Sequence, residues 1–249
     1  IPLIQEISRF AECPVICYPN AGLPNEFGQY TQSPEEMAAQ VKEIALTGHV
    51  NIVGGCCGST PDHIRAIAEA VRGIIPTKHE TGSGIHLSGL EHLAPEFAEG
   101  GICGVGRDAD SNINAEFAKQ ISEGDLDSAM MTASMQVYNG VQIVAINMDA
   151  VPERCKAMKD FVRFLMLDPG VSKAPFMIES SDFDTLTEGL KNAQGRCIAS
   201  YTAAFADESD AIGKALKMRA LGAAISVGKQ NEQMRSAILE AGLNPCDLI

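Results

Sequence analysis

The segment GGCCG at residues 54–58 sets two adjacent cysteines, Cys56 and Cys57, at the end of an apolar run and between glycines. Consecutive side chains on a strand point to opposite faces. Gly54, Gly55 and Gly58 admit backbone angles closed to other residues, so the two sulfurs can converge on one ion just past the strand end. Zinc is the natural ion: two thiolates plus one more protein ligand leave a fourth position for a substrate. A substrate thiol bound there loses its proton at neutral pH and becomes a nucleophile. The helix that opens at Pro61 adds the positive end of its dipole for the anionic sulfurs. The competing reading is two small buried hydrophobes at a tight turn.

Other chemistry-bearing residues have blander explanations. His63, six residues after Cys57, could approach a metal, but a solvent-facing or capping role suits a histidine near a helix start better. His49, His79, His86 and His92 have no metal-cluster spacing. Glu179 and Asp182 could form an acid/base couple at a strand end, yet Asp182 reads more simply as a helix cap. Met130, Met131 and Met135 read as helix core, and Gly104-Val-Gly106 is too short for a dinucleotide fingerprint.

Strands and helices alternate around these residues. Pro14–Tyr18 and Asn51–Gly55 read as short buried strands. Helices follow them: one from Ser33-Pro34 to Gly48 with Met37, Val41, Ile44 and Ala45 inward, and one from Thr60-Pro61 with Ile64, Ile67, Ala68 and Val71 inward. PTKHETGSGIH at 76–86 has no apolar period and reads as a linker. Beyond it, strand-like runs at Ile102–Val105, Val141–Ile146, Pro175–Ile178, Cys197–Tyr201 and Ala223–Val227 alternate with amphipathic segments near 114–138, 152–167, 182–192, 207–221 and 231–241. The spacing predicts an α/β fold with a parallel sheet, and periodicity does not separate a doubly wound sheet from part of a barrel.

Composition narrows the setting. The 249 residues carry 32 acidic and 19 basic side chains, a formal charge of -13 with no basic stripe, which argues against nucleic acid as a partner. No apolar stretch reaches the ~20 residues that span a bilayer, and the first residues do not read as a charged-then-apolar export signal, so a cytoplasmic protein is expected, with no membrane partner. The eight cysteines suit reduced thiols or metal ligands in a reducing compartment. The start at Ile1 reads as a cut from something longer.

YPNAGLPNEFGQY at 18–30, followed by NIVGGCCGSTPDHI at 51–64, closely resembles the cobalamin-dependent methionine synthase family at the end of its homocysteine-binding module. That resemblance implies a (β/α)8 barrel in which Cys56 and Cys57 are paired zinc ligands and Asn20 lies in a loop beside the metal, in contact with substrate. The third ligand is a cysteine on an earlier strand, which neither Cys13 nor Cys17 matches. HLSGLE at 86–91 then resembles the entry to the family's methyltetrahydrofolate module, a second barrel, with further agreement at INMD (146–149), KAPFMIESSDF (173–183), GLKNAQGRCI (189–198) and LGAA (221–224). There the resemblance implies that Asn147 faces a pterin ring. Departures stand beside it: Gly106-Arg107-Asp108-Ala109-Asp110 replaces a GERTN-type segment, and Ala145, Glu179 and Ser200 replace two aspartates and an asparagine. Each lost partner on a flat polar ligand costs ~1–3 kcal/mol, which favours a plain turn at Asn147 and Asp149 over retained folate binding.

The reading is therefore an α/β chain made of parts of two TIM-type barrels: residues 1–75 of a homocysteine and zinc barrel, a linker at 76–86, and residues 87–249 of a pterin-type barrel that stops before its next strand. The implied activity is methyl transfer to homocysteine, with zinc as metal, methyltetrahydrofolate as donor and cobalamin as carrier on a separate module. Two rivals are a non-catalytic remnant or interaction module on the same scaffold, and a pterin or small-molecule binder that uses the second unit alone.

Overall fold

Hydroxyl residues followed by proline set two helices of the first unit. Ser33 caps α2 (Pro34–Leu46): its hydroxyl accepts the Glu36 N–H at 3.3 Å, and the Glu36 carboxylate accepts the Ser33 N–H at 3.0 Å. Thr60 precedes α3 (Pro61–Ala70), where His63 replaces the usual acid, its Nδ1 accepting the Thr60 N–H at 3.2 Å. The structure, a computed structural model, describes residues 2–11, 13–76, 84–94, 103–205, 207–227 and 232–249, apart from the side chains of Phe10 and Cys246. It divides into two units, Ile1–Gly82 and Ser83–Ile249. Most of the expected linker, residues 77–83 and with them His79, lies outside the described residues.

The first unit runs α1 (Pro2–Phe10), β1 (Ile16–Cys17), α2, β2 (Ile52–Val53), α3. β1 and β2 pair in parallel, Ile16 opposite Ile52 and Cys17 opposite Val53. Both strands are shorter than their apolar runs, because Pro14 and Pro19 have no N–H to donate and the Asn51 side chain takes the Val15 N–H at 2.9 Å. Met37, Ala38 and Val41 of α2 close against Ile67 of α3 and Ala21 of the loop after β1. The inward face of α3 differs from the expected one: His63 and Ile67 are buried, whereas Ile64 and Ala68 are exposed. A histidine bonded at both ring nitrogens buries without a polar penalty, so it takes the core place that apolar periodicity gives to Ile64.

The second unit opens with an antiparallel pair, β3 (Leu87–Ser88) and β4 (His92–Leu93). Then come β5 (Val105–Asp110), α4 (Ala115–Glu123), α5 (Leu126–Tyr138), β6 (Ile143–Asn147), α6 (Arg154–Leu165), α7 (Pro169–Ser172), β7 (Phe176–Ser180), α8 (Phe183–Asn192), β8 (Ile198–Tyr201), α9 (Glu208–Ala220), β9 (Ala224–Ser226) and α10 (Glu232–Glu240). β5 to β9 form one parallel sheet in sequence order. An order that never reverses has no switch point of the doubly wound kind. Strand residues alternate between two cores. Val144, Ile146, Phe176, Ile178, Ala199 and Ile225 meet the helices, with Phe117 and Phe161 edge to face at 5.3 Å. Ile143, Met177, Ile198 and Ala224 face the other way and pack with Leu87 and Leu93 of the opening pair.

Two expectations change here. β5 lies at Val105–Asp110, so the charged GRDAD segment is strand and not a loop after it; Ile102, the start expected from the apolar run, lies outside the described residues. Met131 and Met135 are 66% and 49% exposed, because α5 buries its small residues Ala129 and Ala133 together with Gln136 instead. After β9, Leu248 makes an isolated parallel bridge to Ile225, and the Ile249 N–H donates to the Ile225 carbonyl at 2.8 Å. No helix among the described residues is long and apolar enough to cross a membrane.

Asp247, only 3% exposed, anchors that last segment. Its Oδ1 meets Arg196 Nη2 at 2.7 Å and its Oδ2 meets Arg219 Nε at 2.6 Å. Asp247→Asn removes the charge that both guanidiniums answer, and both retain some access to water. The expected loss is about 2 kcal/mol of unfolding free energy, read as a lower denaturant midpoint at unchanged slope.

Candidate functional site

The loops that leave β1 and β2 are stitched together by backbone. The Gly54 N–H donates to the Cys17 carbonyl at 3.0 Å, the Cys56 N–H to the Pro19 carbonyl at 2.8 Å, and the Ala21 N–H to the Cys57 carbonyl at 2.9 Å. Between the last two, the Cys57 N–H donates to Asn20 Oδ1 at 3.1 Å. The Cys56-Cys57 peptide is thus gripped along its length by residues 19–21. Gly58 follows at φ +78°, and a Cβ there would stand 2.3 Å from the Tyr30 Cβ. Gly55 has no room either, since a Cβ would meet Ser59 Oγ at 2.3 Å. Close approach thus demands a glycine at both positions, and at Gly58 the turn geometry demands it as well.

The outcome is two exposed sulfurs 3.8 Å apart. A tetrahedral zinc with sulfur bonds of about 2.3 Å has sulfur-to-sulfur edges of about 3.8 Å, so the pair fits one edge of such a site. Among the described residues no third His, Cys, Asp or Glu joins them in a group that could hold a metal. Tyr30 borders the pair: a hydrogen bond to Cys57, then burial, then the nearby Cys57 and Cys56 charges hold its phenol above the usual range.

His63 belongs to the scaffold of this site. Its Nε2–H donates to the Gln32 carbonyl at 2.9 Å, which leaves Nδ1 as the acceptor for Thr60. Both nitrogens are engaged, and the ring is 6% exposed, so the capping role holds and the solvent-facing one does not. The thiols withdrawn from solvent differ from the pair. Burial pushes Cys17 and Cys103 up, and Cys197, inside the helix-side core, up to about 11. Cys13 is exposed at the turn before β1.

The second unit gathers its polar residues at the carboxyl ends of the strands. Register pairs Asp110 with Asn147, Asn147 with Glu179, Glu179 with Ser200 and Ser200 with Ser226, one continuous row across five strands. The row answers itself. Arg107 meets Asp110 Oδ2 at 2.8 Å and Glu179 Oε2 at 2.7 Å, and the Ser200 hydroxyl donates to Glu179 Oε1 at 3.1 Å. Burial holds the Glu179 carboxyl above its ordinary range, against the opposing pull of Arg107 and Ser200. Asn147 Oδ1 accepts the Asp149 N–H at 2.8 Å, and Asp149 in turn accepts from the Ser180 hydroxyl at 2.6 Å and the Ser181 N–H at 2.7 Å. Most acceptors of the row are thus engaged within the chain, while Glu179 Oε2, buried beside the Arg107 guanidinium, makes an ion pair without a hydrogen bond.

Asp182 caps α8, its Oδ2 accepting the Thr185 N–H at 2.9 Å, and takes no part in the row. His86 and His92 do meet, Nδ1 to Nε2 at 3.0 Å. Sequence reasoning found Cys56, Cys57 and Asn20. It missed Tyr30, whose only trace is a glycine at 58 that must make room for something, and Arg107, whose trace is a charged run where a strand is needed.

The sulfur pair, the segment that grips it and the helix after it all lie within residues 1–71, and residues 1–71 match the family model of homocysteine S-methyltransferase.

Proposed function

We propose that the first unit carries out the thiol side of methyl transfer to homocysteine, with Cys56 and Cys57 holding zinc. The sulfur separation of 3.8 Å carries the reading, because exposed neighbours at that spacing match a metal edge and need no further movement to close on one. Bound there, zinc would keep an incoming thiol deprotonated at neutral pH.

The chain's own residues supply the geometry. Asn20 fixes the Cys57 peptide through its side-chain oxygen, the Pro19 carbonyl fixes the Cys56 peptide, and Gly58 turns the chain away before Tyr30. The Tyr30 ring, from which Gly58 turns the chain away, borders the Cys57 side of the pair. Homocysteine is the proposed substrate, its thiolate sulfur forming the new S–CH3 bond as the methyl leaves its donor without the bonding electrons. The proposed methyl source is methyltetrahydrofolate by way of cobalamin on a separate module. No described residue of this chain is assigned to hold either one. A barrel built from these parallel strands belongs to the same proposal, since sequential strand order is that of a barrel wall.

Metal analysis of the natively purified chain tests the reading directly. Zinc is expected to accompany the protein and to be lost from the Cys56→Ser/Cys57→Ser double variant. Cobalt substitution should give a sulfur-to-metal charge-transfer band that the double variant lacks. Zinc held equally well by the double variant would end the proposal.

Gly58→Ala is expected to weaken zinc binding by about tenfold or more, because the new Cβ at 2.3 Å from Tyr30 must move either the ring or the Cys57 peptide. Helical circular dichroism should barely change. Asn20→Ala is expected to lose about tenfold in metal affinity while Asn20→Asp, which keeps the acceptor oxygen, retains more. Equal losses in both would show that the bond to the Cys57 N–H is not what matters.

A further inference from the structure

Arg107, Asp110 and Glu179 form a charge cluster in the second unit that the proposed chemistry of the first does not use. Both carboxylates are nearly closed off from water, at 2% and 4% exposure, and buried like charges this close need a cation between them. One guanidinium nitrogen of Arg107 reaches both, at 2.8 Å and 2.7 Å. Ser200 completes the Glu179 side, and Asn147 stands between the two acids in the register.

The backbone is deformed to put Arg107 there. Strand residues alternate, so in a regular β5 Arg107 would share a face with Ala109, which is buried against the helices. The register instead pairs Gly106 with Val144 and Ala109 with Ile146, three residues on β5 against two on β6. That bulge adds one residue and turns Arg107 onto the face of Asp110. Gly106 is its necessary neighbour: a Cβ there would lie 2.2 Å from Gln136 Oε1, the atom that accepts the Asp108 N–H and holds the bulge closed. The Arg107 side chain stays 44% exposed, so it covers the acids from the solvent side and does not sit beneath them.

We propose that the strand-end row of the second unit is a receptor for a planar guanidinium-type cation, and that Arg107 is its built-in occupant. The seated side chain defines the ligand class: a flat guanidinium whose Nη2 hydrogen-bonds Asp110 and pairs with Glu179 from the solvent side. With Arg107 seated the row admits no second ligand of that class, pterins included.

Thermal unfolding of the full chain tests this with methylguanidine as probe and methylammonium at equal ionic strength as control. The wild-type melting temperature is expected to be the same in both. Arg107→Ala should melt several degrees lower, and about 10 mM methylguanidine should raise it by about 3 °C or more while methylammonium does not. If the variant is recovered unfolded, refolding is run in each additive, and folded chain is expected with methylguanidine alone. Equal response to the two cations, no response, or recovery that does not differ between them overturns the proposal. So does titration of the wild-type chain with 2-aminopyrimidin-4-one if it binds with Arg107 in place.

Discussion

Two side chains that leave a strand one after the other diverge, and the chemistry proposed for the first unit depends on a backbone bent enough to defeat that rule. The bend is enforced from outside the cysteines. Residues 19–21 supply one carbonyl, one side-chain oxygen and one N–H to the Cys56-Cys57 peptide, and the two glycines around it occupy places where any Cβ would collide. Each of these bonds is individually worth about 1 kcal/mol. Their joint effect is geometric: they leave the pair of sulfurs one arrangement, with both facing solvent.

The second unit breaks the same rule by a different device. A bulge in β5 adds a residue, and the addition reverses the faces of the residues before it relative to those after it. Without it a guanidinium would enter an apolar core and two buried acids would face each other unpaired. In both units, then, polar chemistry sits where the parallel ladder ends or slips. A regular strand offers side chains at fixed spacing and fixed direction, and only irregular backbone brings neighbours in sequence onto one target.

This explains which parts of the molecule are legible in its sequence. Helix starts are local events, and Ser33-Pro34, Thr60-Pro61 and Asp182 announce theirs without reference to anything distant. The strands from Val144 to Ile225 carry apolar runs that mark them as buried, and the parallel order comes from alternation with helices. β5 failed because its own residues, Gly-Arg-Asp-Ala-Asp, are poor strand formers whose pairing is imposed by β6. The inward turn of His63 failed because a pattern of hydrophobic residues cannot register a polar ring whose two partners, Thr60 and Gln32, lie on different elements. Asn20 was visible only through resemblance, whereas Tyr30 and Arg107 act through neighbours that no local spacing reveals.

The thiols show how the fold sorts one residue type into different chemical uses. Cys197 packs in the helix-side core, where desolvation opposes the thiolate so strongly that its proton is held up to about 11. Cys17, only a few residues before the segment that grips the Cys56-Cys57 peptide, turns toward Val15 and Val50 in a small core and is pushed up by burial as well. A metal or an electrophile needs the thiolate and a path to it; Cys197 is closed off from both, and the half-buried Cys17 is disfavoured as thiolate. Cys56 and Cys57 keep the path because β2 has already ended at Val53 when they emerge, and the chain turns at Gly58 into α3. The termination of a two-residue strand is what leaves the pair of sulfurs exposed.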